Sequence, residues 1–272
     1  MNHSHSTEFG EILALFEDYI DGGYRRTRPE RTAPAAGSGS SQPATADSRR
    51  PSAVSTVSTA AVSPAVSAPP AAPAAELSSE QRAAELRALE ERVRSCALCA
   101  LHQGRTNAVP GVGVLDPLVM VIGEGPGADE DAQGEPFVGA AGRYLDKWLE
   151  AINLSRTENV YITNIVKCRP PNNRDPLPAE SAACTPYLAR QIELVRPQAI
   201  LSVGRVAGTL LLDSDLGIGK LRGRTWSYRG IPLVPTYHPS GVLRNDAWRR
   251  PVWEDLKRLR GLLDERLSRP GV

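Results

Sequence analysis

Apolar positions recur along this chain in two rhythms. Short continuous apolar runs occupy 118–122, 160–166, 199–203 and 231–236, the length and density of strands buried on both faces. Between and around them, apolar residues recur at helical spacing over 76–94, 141–152, 179–195, 206–212 and 251–267. Ser78 or Ser79 is placed to cap the first of these. Strands alternating with helices predict an α/β domain whose parallel sheet is covered on both faces. In such sheets ligands bind beyond the carboxyl ends of the strands. That rule brings Glu124, Asn164, Gly204 and His238, each at or just past a strand end, to one rim.

The pattern also divides the chain. Over 7–22, Phe9, Ile12, Leu13, Phe16, Tyr19 and Ile20 share one helical face, predicting a short amphipathic helix within residues 1–27. From 28 to 76 the sequence is almost entirely Ala, Pro, Ser, Thr and Val, a disordered linker by composition. Residues 77–272 are left for one compact domain. The N-terminal helix, on so long a tether, is expected to dock on a partner protein through Phe9, Ile12, Leu13 and Phe16, with weak packing on its own domain or disorder as the plainer alternative.

Composition adds little beyond exclusions. The chain has 272 residues, with 32 basic and 31 acidic side chains, so net charge names no partner. The longest apolar runs are far too short to span a bilayer, and the polar start lacks a signal-peptide layout. The expectation is a monomeric cytoplasmic protein without a membrane segment.

The organising stretch is 118–142. Its strand runs directly into Gly123-Glu124-Gly125-Pro126-Gly127, which allows a sharp turn and close backbone approach. Glu124, Asp129, Glu130 and Asp131 follow, poor company for a phosphate held on backbone amides. With Phe137 and the small residues 139–142 next, the stretch points to a pocket for a flat, neutral, polar ring. A tight strand-to-helix turn with solvated acids is the plainer alternative. His238, in Tyr-His-Pro-Ser, is placed to donate to an anion forming on a substrate. Asn164 offers a donor and an acceptor, matching one edge of a pyrimidine. Ten basic residues between Lys220 and Arg260 surround the His238 loop, a pattern for phosphate contact. There, Leu243 and Arg244 would supply an apolar wedge beside a phosphate contact, next to Ser240.

The four cysteines fall as Cys96-x2-Cys99 and Cys168-x15-Cys184. The set reads as a chelation site, and spacing does not separate zinc from an iron–sulfur cluster.

In combination and order, GEGPG, PFVG, YITNIVKCRPP, HPS and the cysteine pattern resemble the family 4 uracil-DNA glycosylases over about 96–263. The resemblance implies a three-layer α/β/α fold around a mainly parallel four-stranded sheet. It implies a [4Fe–4S] cluster on Cys96, Cys99, Cys168 and Cys184, and uracil-containing DNA as substrate. It implies uracil stacked on Phe137 and read by Asn164, a pocket floored by Gly123 and Gly125, and catalytic groups Glu124 and His238. Glu130 and Asn173 also fall on family positions. The resemblance does not reach the N-terminal helix, whose expected docking partner is a replication or repair protein. A related branch that traps DNA covalently carries a basic, histidine-containing insert after the second strand, and the loop 169–176 here has no histidine. Two other classes stay in view: a nucleotide-binding α/β protein, whose GxGxxG spacing Ala128 and Asp129 break, and a DNA-binding module without catalysis.

Overall fold

The computed structural model describes residues 77–268. The expected N-terminal helix and linker lie outside the described residues. Helix α1 (Ser79–Arg94) starts on Ser78, whose hydroxyl accepts from the Gln81 amide while the Gln81 side chain accepts from the Ser78 amide, at 3.2 and 2.8 Å. This reciprocal cap satisfies two amides that a helix start otherwise leaves open.

Six strands form one sheet: β1 (Val112–Gly113), β2 (Val119–Gly123), β3 (Val160–Asn164), β4 (Ala199–Val203), β5 (Trp226–Tyr228) and β6 (Ile231–Thr236), in the order β1-β3-β2-β4-β6-β5. The inner four are parallel and are the four expected from the apolar runs. The short edge strands β1 and β5 pair antiparallel and extend the sheet beyond the expected four. At two and three residues they are too short, and too mixed in polarity, to announce themselves by periodicity.

Alternation along β2 sorts the two cores. Met120 and Ile122 face a cluster built with α1 and α4 (Pro178–Val195), whereas Val119 and Val121 face one built with α3 (Ala140–Glu150) and α8 (Arg249–Leu267). Every residue of β2, β3 and β4 is buried. At roughly 1.5–3 kcal/mol for each large apolar side chain removed from water, these strands form a rigid base. No helix among the described residues is long and apolar enough to cross a membrane.

The chain passes from β2 outward to β3 and returns past β2 to β4. Loops leaving β2 and β4 therefore part in opposite directions and open a crevice at their carboxyl ends. Short helices line its mouth, α2 (Ala128–Gln133) after β2, α5 (Arg205–Leu212) after β4 and α7 (Pro239–Val242) after β6, while α6 (Ile218–Leu221) packs against α5 and β6.

Candidate active site

The crevice is a cleft of about 420 Å³. Its walls include Glu124, Gly125, Glu130, Phe137, Asn164, Asn173, Gly204, His238, Ser240 and Arg244, drawn from all four parallel strands' ends or the loops beyond them. The rim expected from the strand-end rule is thus assembled.

Asn164 closes β3 and is 1% exposed. Its Oδ1 is buried with no hydrogen-bond partner among the described residues. An orphaned buried acceptor costs about 1–3 kcal/mol unless something supplies a donor. Gly123 lies directly under this amide. A Cβ added there would collide with Asn164 Oδ1 and stand 2.6 Å from Phe137 Cζ, so only glycine leaves the amide and the ring in place.

Phe137 has φ of 55°, a left-handed backbone uncommon for an aromatic residue. Its ring stacks on His238 with centroids 5.7 Å apart and planes at 29°. His238 precedes α7 and accepts at Nδ1 from the Ser240 amide, 3.2 Å away, with the Ser240 hydroxyl at 2.8 Å. An Nδ1 that accepts an amide hydrogen carries none itself, so the neutral ring bears its proton on Nε2. Burial, with the Arg244 cation adding to it and Glu130 opposing, pushes the imidazolium down to about 4. The ring is a neutral donor.

The four acids of the organising stretch have different jobs. Glu130 accepts at Oε2 from the Gly127 amide and at Oε1 from the Val138 and Gly139 amides, each at 3.0 Å. Asp131 is buried and accepts from the Thr106 amide at 2.9 Å. Asp129 packs its carboxylate over the bare Cα of Gly139. Glu130 and Asp131 thus fix the loop, and Glu124 lines the cleft with its carboxylate holding no backbone amide among the described residues. Burial raises Glu124 to about 7, nearby Asp175 adds to the rise, and Arg205 opposes it. Asp175 and Arg205 form an ion pair at the cleft edge. Neither was singled out from sequence, although Arg205 directly follows the strand-end Gly204.

The basic cluster around His238 is mostly engaged within the fold. Arg222 binds buried Asp255, and Arg249, Lys257 and Arg260 pair with Asp246, Glu254 and Asp264. Of the ten, Arg244 is the one that lines the cleft. Leu243 ends α7, 44% exposed, beside the cleft rather than in its wall.

All four cysteines line a second cavity with no disulfide among them, joined there by Leu98, His102, Arg105, Lys167 and Tyr187. Arg105 Nη1 donates to Cys168 Sγ at 2.9 Å. Burial pushes the Cys184 thiol up to about 11, against the pull of Lys167. Among the described residues, no three His, Cys, Asp or Glu side chains form a group that grips a single ion. Lys167 is fully buried, its Nζ bonding Thr163 Oγ1 and the Asn164 carbonyl at 2.6 and 2.7 Å.

Residues 110–257 match the model of the Uracil DNA glycosylase superfamily. The chain is 45% identical to a type-4 uracil-DNA glycosylase of Sulfurisphaera tokodaii, over 65% of this chain and 84% of that protein. It is 44% identical to the type-4 enzyme of Thermotoga maritima, over 64% of this chain and 93% of that protein. A type-5 uracil-DNA glycosylase of Pyrobaculum aerophilum is more distant, 34% identical over 48% of this chain and 65% of that protein.

Proposed function

This chain belongs to the type-4 uracil-DNA glycosylases of the Uracil DNA glycosylase superfamily, and on that premise we propose how its cleft removes uracil from DNA. A base inside a duplex is out of reach, so the uracil turns out of the stack into the cleft. There Phe137 offers a ring face, and Asn164 supplies an acceptor at Oδ1 for uracil N3–H and a donor at Nδ2 for O4. The observation that carries this reading is the buried, unpartnered Oδ1 standing in a cleft with a neutral imidazole.

As the N-glycosidic bond breaks, its electron pair goes to uracil and positive charge gathers on the sugar. The Nε2–H of His238 donates to uracil O2, where the negative charge collects. A neutral donor suits this step because it stabilises the anion without having to surrender a proton. Glu124, as carboxylate, faces the cationic sugar and orients the water whose oxygen bonds to C1′. The water proton is taken up by the departing base or by solvent. Leu243 and Arg244, at the end of α7, face the strand from which the base has left.

The cysteines fit an iron–sulfur cluster better than zinc. Four thiols around a shared cavity, with Arg105 donating to one sulfur, suit a larger anionic centre. When bound, the cluster would tie α1, the loop after β3 and α4 together, with no part in hydrolysis.

The direct test is incubation with a single uracil-containing oligonucleotide followed by alkali. Strand breaks are expected at uracil and not at a matched cytosine, and an intact uracil strand would refute the reading. The pH profile checks the roles. Excision should fall as pH drops through about 7, where Glu124 protonates, while His238 is unchanged until about 4. Asp175→Asn removes a negative neighbour from Glu124 and frees Arg205 toward it, so the acid limb should move to lower pH. A limb that stays in place would assign it to another group.

A further inference from the structure

The Phe137 platform is held by its backbone, and the group that holds it from behind is not among the residues that line the cleft. A left-handed phenylalanine persists only where its surroundings over-determine it. Here the surroundings are charged side chains acting on both faces of one short segment. Glu130 takes the amides of Val138 and Gly139. On the opposite side, Arg156 donates from Nη2 to the Phe137 carbonyl at 2.9 Å and from Nη1 to the Pro136 carbonyl at 3.3 Å. Arg156 is itself fixed, with Nε and Nη2 both on Asp146 Oδ1 at 2.9 and 2.6 Å. Its side chain is 22% exposed and its partner Asp146 sits on α3. Gly142 completes the arrangement, since a Cβ there would overlap the Phe137 carbonyl.

We infer that Arg156, braced by Asp146, is a positioning residue that sets the Phe137 ring for the extruded base. This rests on the reading that Phe137 is the base platform. A guanidinium reaches two adjacent carbonyls and a carboxylate at once because its donors form a planar fork. Lysine, a compact charge whose donors all sit on one nitrogen, cannot span both carbonyls and the carboxylate as the fork does. Arg156 is not among the residues that line the cleft, so it acts on substrate through the ring.

The experiment measures single-turnover excision from a single-stranded uracil oligonucleotide, inhibition by free uracil, and melting temperature. The proteins are full-length Phe137→Ala, Arg156→Ala, Arg156→Lys and the double variant Phe137→Ala/Arg156→Ala. Arg156→Ala should lose ~10²-fold in rate, the scale of a reacting partner misplaced by about an ångström, and should bind free uracil more weakly. Arg156→Lys should recover part of both. In the double variant, the Arg156 loss should largely vanish, because the ring it positions is gone. Wild-type excision and uracil inhibition by Arg156→Ala would overturn the inference, as would an Arg156 loss that adds in full to that of Phe137→Ala. If Arg156→Ala does not fold, Arg156→Lys with full activity and uracil affinity overturns it, and a graded loss of both at unchanged melting temperature supports it. Should Phe137→Ala itself excise like the wild type, the platform reading fails, an outcome distinct from an inert Arg156.

Discussion

Asn164→Asp should lower uracil excision ~10⁴-fold, the penalty seen where a site built to pair with a substrate group is left unmatched. The wild-type amide presents one acceptor and one donor to the uracil edge. Aspartate keeps an acceptor for N3–H but turns the donor facing O4 into a second acceptor. The position is 1% exposed, and its Oδ1 has no partner among the described residues. In its charged form the side chain therefore opposes O4, and only the fraction that protonates, with its hydroxyl toward N3 of the base and its carbonyl toward the exocyclic amine, pairs with cytosine. The expected result is therefore a collapse of uracil excision with a faint gain on cytosine. The measurement is single-turnover excision from matched uracil and cytosine oligonucleotides, with melting temperature as the control for folding. Wild-type-like uracil excision by this variant would remove Asn164 from base reading.

The residues of that argument were readable before the fold was known, and the reason is physical. Asn164 and His238 end apolar runs, and strand ends at a crevice face a ligand whatever the rest of the chain does. Gly123 was legible for the same reason, its need for close approach following from the turn out of β2. Charge was harder to read. Glu130 and Asp131 look like their neighbour Glu124 in sequence, but they spend their oxygens on amides of their own loop. Arg222 likewise adds to a basic run only until Asp255, which lies 33 positions away, claims it. Asp175 and Arg205 were missed because their pairing exists only once the loop after β3 and the start of α5 meet. Hydrophobic periodicity records what a residue must avoid, whereas a charged side chain's task depends on which partner arrives.

Cys184→Ser should produce the largest loss of stability. The cysteine cavity joins the end of α1, the loop after β3 and the first turns of α4, segments with no strand pairing to each other. If four thiolates and an iron–sulfur cluster bind them, replacing one ligand leaves buried thiols and an incomplete centre. Loss of a metal centre belongs to the few changes that cost more than about 4 kcal/mol. In a domain of this size that lowers the melting temperature by roughly 10 °C or more. The effect should reach the cleft, because only three residues separate Cys168 from Asn164. Within that span the Ile165 amide donates to the Gly123 carbonyl at 2.9 Å and the Val166 amide to the Glu124 carbonyl at 3.1 Å. The Lys167 amide hydrogen-bonds Cys184 itself. A loop released at its cysteines therefore loosens the backbone of both the base-reading and the acid-bearing strand ends. Wild-type protein purified anaerobically should be brown, with iron by metal analysis and the broad visible absorbance of iron–thiolate bonds. Cys184→Ser should lose the colour, melt early and excise uracil poorly even below its melting temperature. Colourless wild-type protein carrying one zinc per chain would overturn the cluster and keep the cross-link. A variant with full excision and an unchanged melting temperature would overturn the cross-link as well.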